Sequence, residues 1–477
     1  MEDAEQGYYT KDLRNKLINS KFKFTFIKQN YKNKFETVGG LMQVKTINFL
    51  NNQMFRINKL MLNYLISEWN SNNSIFFKGL NKFHIDTHLI ESKSKISKNK
   101  QNLIESHNSK HLLYKNILEM AIIYKNIDFY LPVVMDFRGR INPQPQYLHY
   151  HSSDLARCLI EFSNGCEINE TNINLVYQAL ANTAGKSKIT IKNKEKWAKE
   201  FLEKLNFKSF DLNTIFNNPL IIDLINNIDE IGQFLSLLTS LLQLKNNNLF
   251  HTPICFDATC SGIQHLSAIL SDIQLAKETN VIPIEDNSDN PQDIYSLLAN
   301  EVSNTINNLE DKELRTVLKK ILITRKLMKK PAMTVPYNVG LQKMTDQLIN
   351  AGFFSKEYDD LSNKYLYYIV DKSILKEDET LILSDYQFGM FTSILFTVIF
   401  KKFPSLKEFK NYVDKLTLII LKLNKPLIWV TPAPASMKIS QSYRIFKPYL
   451  TKSLYSNIKY NKITISLPTT NLDIKKK

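Results

Sequence analysis

Asp257 is the residue of this sequence whose surroundings most clearly suit a reactive carboxylate. It follows the apolar run Ile254–Phe256 and precedes the small residues Ala258 and Gly262. We expect a strand that ends at Asp257, which would put the carboxylate at the rim of a buried sheet with room for a bulky ligand. Mg²⁺ prefers such oxygen ligands and often links them to substrate phosphates. The alternative is a helix N-cap, because a helical pattern starts directly afterwards.

A second group of reactive side chains lies in the segment TRKLMKKPAMTVPYN. Its members recur every four positions and share one slowly turning helix face: Arg325, Lys329, Met333 and Tyr337. The two cations could bind a triphosphate, and the tyrosine offers a stacking face and a hydroxyl. The alternative is a solvated cationic face. Because Pro331 lacks an amide hydrogen, we expect a kink there, and Pro336 should end the segment.

Charge indicates the class of partner. The 477 residues include 62 Lys and Arg against 46 Asp and Glu, so a positive field should concentrate polyanions such as nucleic acid. The alternative is a basic surface that only solubilises the protein. The hydrophobic content of 43% allows two to four domains with a buried core.

Cysteine use and hydropathy restrict the compartment. The four cysteines form no CxxC pair, which favours a reducing compartment and excludes a zinc site of that type. No long uncharged apolar run is present, so we expect no membrane partner. The acidic start MEDAEQGYYTK is unlike an import signal. Abundant Asn, Lys and Ile fit AT-rich coding and synthesis inside an organelle.

The elements that must position these residues follow from periodicity. We expect an amphipathic helix within Leu41–Trp69 and a polar loop over Ser92–Asn108. After Tyr130 the β-rich run LPVVMDF indicates a strand and a new domain. Further along, helical patterns cover 173–182, 231–244, 293–328 and, with a break near Pro404, 385–423, before a strand at 427–432.

Four motifs in this order and spacing, DFRGR, FDATCSGIQH, RKLMKKPAMTVPYN and WVTP, resemble the phage-type (T7-like) single-subunit DNA-directed RNA polymerases. The amino-acid sequence around Tyr337 is most similar to that of the polymerases of mitochondrial linear plasmids. The resemblance implies a mainly helical α+β chain with the palm and fingers of a right-hand polymerase fold, without the C-terminal part of the palm. The expected regions are a helical, thumb-like 1–129, a palm portion 130–290, and a fingers portion 291–477 with a hairpin-like C-terminus.

The resemblance also implies roles for single residues. Asp257 corresponds to the first metal-binding catalytic aspartate, with Mg²⁺ as cofactor. Arg325 and Lys329 correspond to phosphate contacts of the fingers helix, with Met333 on the same face. Tyr337 corresponds to the tyrosine that helps to select ribose, through the 2′-hydroxyl that distinguishes it from deoxyribose.

Further matches concern nucleic acid and nucleotide. The residues expected along the template and the nascent RNA are Asp136, Arg138, Gly139, Arg140 and Arg157. Tyr295, in PQDIY, corresponds to a fingers tyrosine near the bound nucleotide. One departure is Asn142, where the family usually has tyrosine.

The two ends of the sequence depart further from the family pattern. Only about 130 residues precede DFRGR, and no HDS tripeptide, the motif that carries the second catalytic aspartate, is present. Two-metal phosphoryl transfer uses carboxylates from both motifs. We therefore expect a fragmentary reading frame or one half of a split enzyme with a C-terminal polymerase fragment as partner.

The predicted reaction is nucleotidyl transfer in the mitochondrion, with template DNA, nascent RNA and ribonucleoside triphosphates as partners. The chief alternative is a catalytically inactive, basic nucleic-acid-binding remnant. A DNA polymerase of related hand-like fold is a third candidate, and Tyr337 and DFRGR favour RNA synthesis over it.

Overall fold

The computed structural model describes residues 27–28, 41–83, 98–136, 140–206, 215–244, 248–283, 291–359, 363–376, 381–423, 426–430, 438–441, 446–451 and 463–468. These residues are mainly helical with short strands, as expected for an α+β chain. The chain divides into two compact units: unit 1 is Met1–Phe256 with Ile428–Ser440, and unit 2 is Asp257–Leu427 with Gln441–Lys477. The regions 1–129, 130–290 and 291–477 stay a prediction.

The part of unit 1 up to Phe256 combines eight described α-helices with three small sheets. The helices are α1 (Leu41–Asn51), α2 (Lys59–Asn70), α3 (Lys98–Ile123), α4 (Asp154–Leu159), α5 (Ile173–Ala181), α6 (Ile191–Lys204), α7 (Pro219–Ile225) and α8 (Ile231–Gln243). The strands are β1 (Ile27–Lys28), β2 (Met54–Ile57), β3 (Phe129–Tyr130), β4 (Val133–Asp136), β5 (Ile141–Pro143), β6 (Ile160–Phe162), β7 (Cys166–Glu167) and β8 (Leu249–Phe250). The sheet orders are β1-β4-β5, β3-β2-β6 and β7-β8.

Helix α8 lies in the core of unit 1. Every residue from Ile231 to Leu242 is buried, and a helix that is largely apolar on all sides is stable only inside a core. Its polar members are bonded within the protein: Asp154 accepts from the Gln233 side chain at 3.1 Å, and the Asn58 side chain donates to Ser236 at 3.4 Å. The helix therefore satisfies its buried polar groups internally.

Two expectations for unit 1 are wrong. The predicted helix within Leu41–Trp69 is interrupted by β2, which pairs with β3 and β6 through antiparallel ladders. Pairing between strands distant in the sequence overrides helical periodicity here. The predicted loop over Ser92–Asn108 is helical from Lys98 onward, while 92–97 lie outside the described residues.

Unit 2 contains the remaining helices and most of the remaining strands. The helices are α9 (Ser261–Ile269), α10 (Ile273–Glu278), α11 (Ile294–Asn307), α12 (Lys312–Leu318), α13 (Arg325–Thr334), α14 (Leu341–Asn350), α15 (Asp385–Lys402) and α16 (Pro404–Leu423). The strands β9 (Phe354–Asp359), β10 (Lys364–Ile369) and β11 (Ile382–Ser384) form an antiparallel sheet of order β11-β10-β9. The strands β12 (Leu427–Val430) and β13 (Lys438–Gln441) pair with each other, and all but their outer end residues belong to unit 1. Towards the C-terminus β14 (Phe446–Thr451) pairs with β15 (Ile463–Pro468).

Helix α15 organises the core of unit 2. Its buried residues include Phe388, Phe391 and Leu395, and it packs against α11, α14 and the sheet. The predicted break near Pro404 is confirmed, because α15 ends at Lys402 and α16 begins at Pro404. The long helix expected over 293–328 is instead three helices, with breaks at 308–311 and 319–324. None of the described helices is long and apolar enough to cross a membrane.

Candidate functional site

Asp257 lies in an exposed, irregular segment that leads into α9. The strand predicted to end there is wrong: the carbonyl of His251 accepts from the Phe162 amide at 2.9 Å, but beyond it no described backbone pairs with 252–257. An extended segment becomes a strand only when a neighbour satisfies its backbone groups. The N-cap alternative is also wrong, because the cap of α9 is Cys260. The Asp257 carboxylate is therefore open to solvent.

Helix α13 carries the predicted cationic face. Its inner side is buried through Leu327, Met328, Pro331 and Ala332. On the outer side Met333 is 45% exposed and Tyr337 is 69% exposed. The helix continues through Pro331, ends at Thr334, and passes into a 3₁₀ turn, Val335–Tyr337. The spacing of four residues thus does place the four predicted side chains on the outer side.

Arg325 is held in place by two contacts at the start of this face. Its Nε donates to Asp293 Oδ2 at 2.5 Å, and its guanidinium lies 5.2 Å from the centroid of the Tyr295 ring. Asp293 is itself the N-cap of α11. One edge and one face of the guanidinium are therefore occupied, while its remaining N–H groups bond to none of the described residues. Such a pre-oriented fork suits a phosphate.

Tyr295 is buried, with 1% of its surface exposed. Its hydroxyl lies against the Cys260 thiol without a well-formed hydrogen bond to any described residue. Burial, followed by the neighbouring thiol, raises the pKa of Tyr295 above its ordinary value. In this structure the tyrosine contacts Arg325 on one side and Cys260, three residues after Asp257, on the other.

Gly262, five residues after Asp257, lies close to the Tyr337 end of the cationic face. A Cβ added at Gly262 would lie 3.2 Å from Pro336 Cγ and 3.9 Å from the Tyr337 hydroxyl. Glycine is thus required for the close approach of α9 to the 3₁₀ turn. Since five residues of extended chain span at most about 18 Å, Asp257 lies within that reach of Gly262. The segment 257–262 therefore lies against the Tyr337 end of the cationic face, and through Cys260 it contacts Tyr295, the residue beside Arg325.

Comparison with known proteins identifies the family. The profile of the DNA-dependent RNA polymerase family matches residues 166–476, which include this site. The chain belongs to the DNA-dependent RNA polymerase family. The resemblance to the phage-type and mitochondrial polymerases, predicted from four motifs, is confirmed.

Three relatives show the extent of the similarity. A probable DNA-directed RNA polymerase of Agaricus bitorquis is 34% identical over 90% of this chain and 37% of its own length. One of Neurospora crassa is 27% identical over 91% of this chain and 47% of its own length. The mitochondrial DNA-directed RNA polymerase of Schizosaccharomyces pombe is 26% identical over 84% of this chain and 35% of its own length. The chain thus spans less than half the length of these relatives.

Membership of this family implies a divalent metal ion. Asp257 fits one of the ligand positions that such an ion needs. Its exposed carboxylate can supply one hard oxygen ligand, and Mg²⁺ commonly takes one or two carboxylates together with substrate phosphates and water. Among the described residues, no cluster of three or more His, Cys, Asp or Glu side chains is arranged to hold a metal.

The other predicted nucleic-acid contacts belong to unit 1. The Asp136 backbone ends β4, and Arg140 is exposed directly before β5. Arg138 and Gly139 lie outside the described residues, as does the Asp136 side chain. Arg157 is turned partly inward, where its Nη2 donates to Glu230 Oε1 at 3.3 Å. Their contacts with nucleic acid stay a prediction.

Sequence reasoning missed two residues that support the site, Asp293 and Cys260. Asp293 directly precedes the helical pattern of α11, and Asp before a helix is a typical N-cap signal. Its bond to Arg325, 32 residues away, has no local signal in the sequence. Cys260 acquires a role only because Tyr295 packs against it.

Proposed function

We propose that this chain is the palm and fingers portion of a DNA-directed RNA polymerase that transcribes mitochondrial or plasmid DNA. The observation that carries this proposal is the packing of segment 257–262: Gly262 lies against the Tyr337 end of the cationic face of α13, and Cys260 lies against Tyr295, whose ring is beside Arg325. The exposed Asp257 carboxylate offers one ligand for a metal, and Arg325 and Lys329 offer several hydrogen-bond donors for a triphosphate. The named activity of the longer relatives supports the same function.

In the proposed reaction the RNA 3′-hydroxyl attacks the α-phosphate of a ribonucleoside triphosphate, and pyrophosphate leaves. Arg325 and Lys329 bind the β- and γ-phosphates and stabilise the charge that develops on the leaving group. Met333 lines the nucleotide, and Tyr337 faces its ribose. Mg²⁺ bound through Asp257 would act as a Lewis acid at the phosphate.

Tyr295 is proposed to support Arg325 from the buried side of α13. Because its ring stacks on Arg325 and its hydroxyl is buried, it keeps the guanidinium oriented toward the nucleotide. Asp136, Arg138, Gly139, Arg140 and Arg157 are proposed to contact template and nascent RNA. Because the sequence contains no HDS tripeptide, the second catalytic carboxylate would come from a polymerase segment outside it.

The mitochondrion is the proposed location, and synthesis inside the organelle is the proposed origin. Several relatives are named mitochondrial polymerases, including that of Schizosaccharomyces pombe. The sequence adds its Asn-, Lys- and Ile-rich composition, which fits AT-rich coding.

Primer extension on an RNA-primed DNA template with Mg²⁺ tests the proposal. When a polymerase segment that carries the HDS motif is added to supply the second carboxylate, we expect incorporation of ribonucleotides that is lost in Asp257→Ala and kept in Asp346→Ala, a control at an exposed aspartate of α14. Incorporation by this chain alone would show that the second carboxylate is not required. Scaffold binding without nucleotide binding would instead indicate an inactive nucleic-acid-binding remnant. A strong preference for deoxyribonucleotides would indicate a DNA polymerase.

A further inference from the structure

Asn338, directly after Tyr337, has an unusual backbone conformation. Its φ of 56° and ψ of 44° place it in the left-handed region, where it ends the 3₁₀ turn. Asn is among the few residues besides glycine that adopt this conformation readily. Its amide N–H donates to the Val335 carbonyl at 3.0 Å, which closes the turn around Tyr337.

The Asn338 side chain connects this turn to α16. Its Nδ2 donates to Asp414 Oδ1 at 2.8 Å, and its Oδ1 accepts from Lys410 Nζ at 2.7 Å. Lys410 also pairs with Asp414 Oδ2 at 2.9 Å, which closes a triangle of three side chains. We call these three residues the latch.

The chemistry of the latch fixes the orientation of the amide. The carbonyl oxygen faces an ammonium group, and the NH₂ group faces a carboxylate, so a flipped amide would lose both bonds. The hydrogen bonds from Asn338 and then Lys410 lower the pKa of Asp414 below its ordinary value. Asp414 therefore stays ionised and retains its bonds at neutral pH.

The latch supports the chain on the C-terminal side of Tyr337. On the N-terminal side Tyr337 is fixed by the buried half of α13, and on the C-terminal side Asn338 ties the chain to a different helix. Because the exposed Tyr337 ring has no hydrogen bond to any described residue, its position depends on these two supports.

We propose that Asn338, Lys410 and Asp414 are positioning residues that hold Tyr337 against the nucleotide sugar and thereby set the preference for ribose over deoxyribose. This inference rests on the proposed function, since it assigns the sugar contact to Tyr337. It adds a specificity determinant on α16, where Lys410 and Asp414 lie 72 and 76 residues after Asn338 along the chain.

A charge swap tests the latch. Asn338→Asp keeps the size of the side chain but places a carboxylate against Asp414, whereas Asn338→Asp with Asp414→Asn restores a donor and an acceptor at the right places. Lys410→Met removes a member, and Lys407→Met is its control at an exposed position of α16 without a described partner. Two readouts are measured: hydrogen exchange of the amides at 335–339, and the affinity ratio for ATP over dATP on a template with a matching base.

We expect Asn338→Asp to increase the exchange of this segment and to reduce the ATP/dATP ratio about five-fold, as for the loss of one hydrogen bond. The double variant should recover both values, and Lys407→Met should change neither. Unchanged exchange and ratio in Asn338→Asp would overturn the latch. If exchange responds but the unsubstituted protein shows no sugar preference and Tyr337→Phe has no effect, the proposed function fails, and with it the specificity role.

Discussion

Helices α8 and α13 differ in the burial and bonding of their polar side chains. In α8 the polar side chains are buried and bonded within unit 1, as in the bond from Gln233 to Asp154. In α13 the outer side chains are exposed, and none of the described residues pairs with Lys329. Buried, satisfied polar groups indicate a structural role, whereas an exposed lysine without a described counter-charge, beside an arginine that keeps unbonded N–H groups, favours an anionic ligand. We therefore expect substitutions in α8 to change stability and substitutions on the outer face of α13 to change binding.

The largest effect should come from the cationic face. Arg325→Ala and Lys329→Ala should each weaken the binding of ATP with Mg²⁺ by roughly ten-fold to a hundred-fold, because each removes a charge-assisted hydrogen bond to phosphate. Lys330→Ala is the matched control, since Lys330 is exposed on the same helix but outside the four-residue repeat. Calorimetric titration measures the affinities, and equal losses in all three variants would contradict a specific site.

The second-largest effect is expected on stability, from a substitution in the buried helix α8. A Cβ at Gly232 would lie 2.7 Å from Cys158 Sγ and 2.9 Å from Asp154 Oδ2, and Asp154 accepts from the Gly232 amide at 2.6 Å. Gly232→Ala should therefore lower the free energy of unfolding by about 1–3 kcal/mol. Urea denaturation measures it, and a variant as stable as the unsubstituted protein would show that this core is less tightly packed.

A smaller effect of opposite sign is expected at Gly389, in the second turn of α15. A Cβ added there has no heavy atom within 4 Å, and the residue is exposed. Gly389→Ala should raise the free energy of unfolding by about 0.5–1 kcal/mol through helix propensity. Destabilisation of Gly389→Ala in the same urea experiment would contradict this expectation.

The smallest effect concerns pH. Burial raises the pKa of Asp154 despite the opposing hydrogen bonds from Gly232 and Gln233. An acid with a raised folded-state pKa contributes most stability below its unfolded value and loses it as pH rises through the folded value. The stability of the unsubstituted protein relative to Asp154→Asn should therefore fall from acidic toward neutral pH. A difference that grows with pH would contradict the direction of this shift.

Local patterns predicted the parts of the fold that local forces determine. The break at Pro404 follows from the missing amide hydrogen of proline, and α8 follows from an apolar run with helical spacing. The strand at β2 could not be predicted, because its partners, β3 and β6, lie about 70 and 100 residues further along the chain. For the same reason the strand expected before Asp257 is missing, since extended backbone requires a neighbour.

The candidate site divides in the same way. The outer face of α13 was predictable from a repeat of four residues within one helix. The support under Arg325 was not, because Asp293 and Tyr295 reach it from α11. Asn338 carried a partial signal, since Asn tolerates the left-handed region, but its bonds to α16 depend on tertiary packing.

The central claim is that Asp257 and the outer face of α13 surround one metal-bound nucleotide. Peroxide-driven cleavage of the chain by Fe²⁺, added in place of Mg²⁺ together with ATP, tests it most directly. We expect cuts near Asp257 and within 325–337, both lost in Asp257→Asn. Cuts confined to other parts of the chain, or cuts at 325–337 that persist in Asp257→Asn, would contradict it.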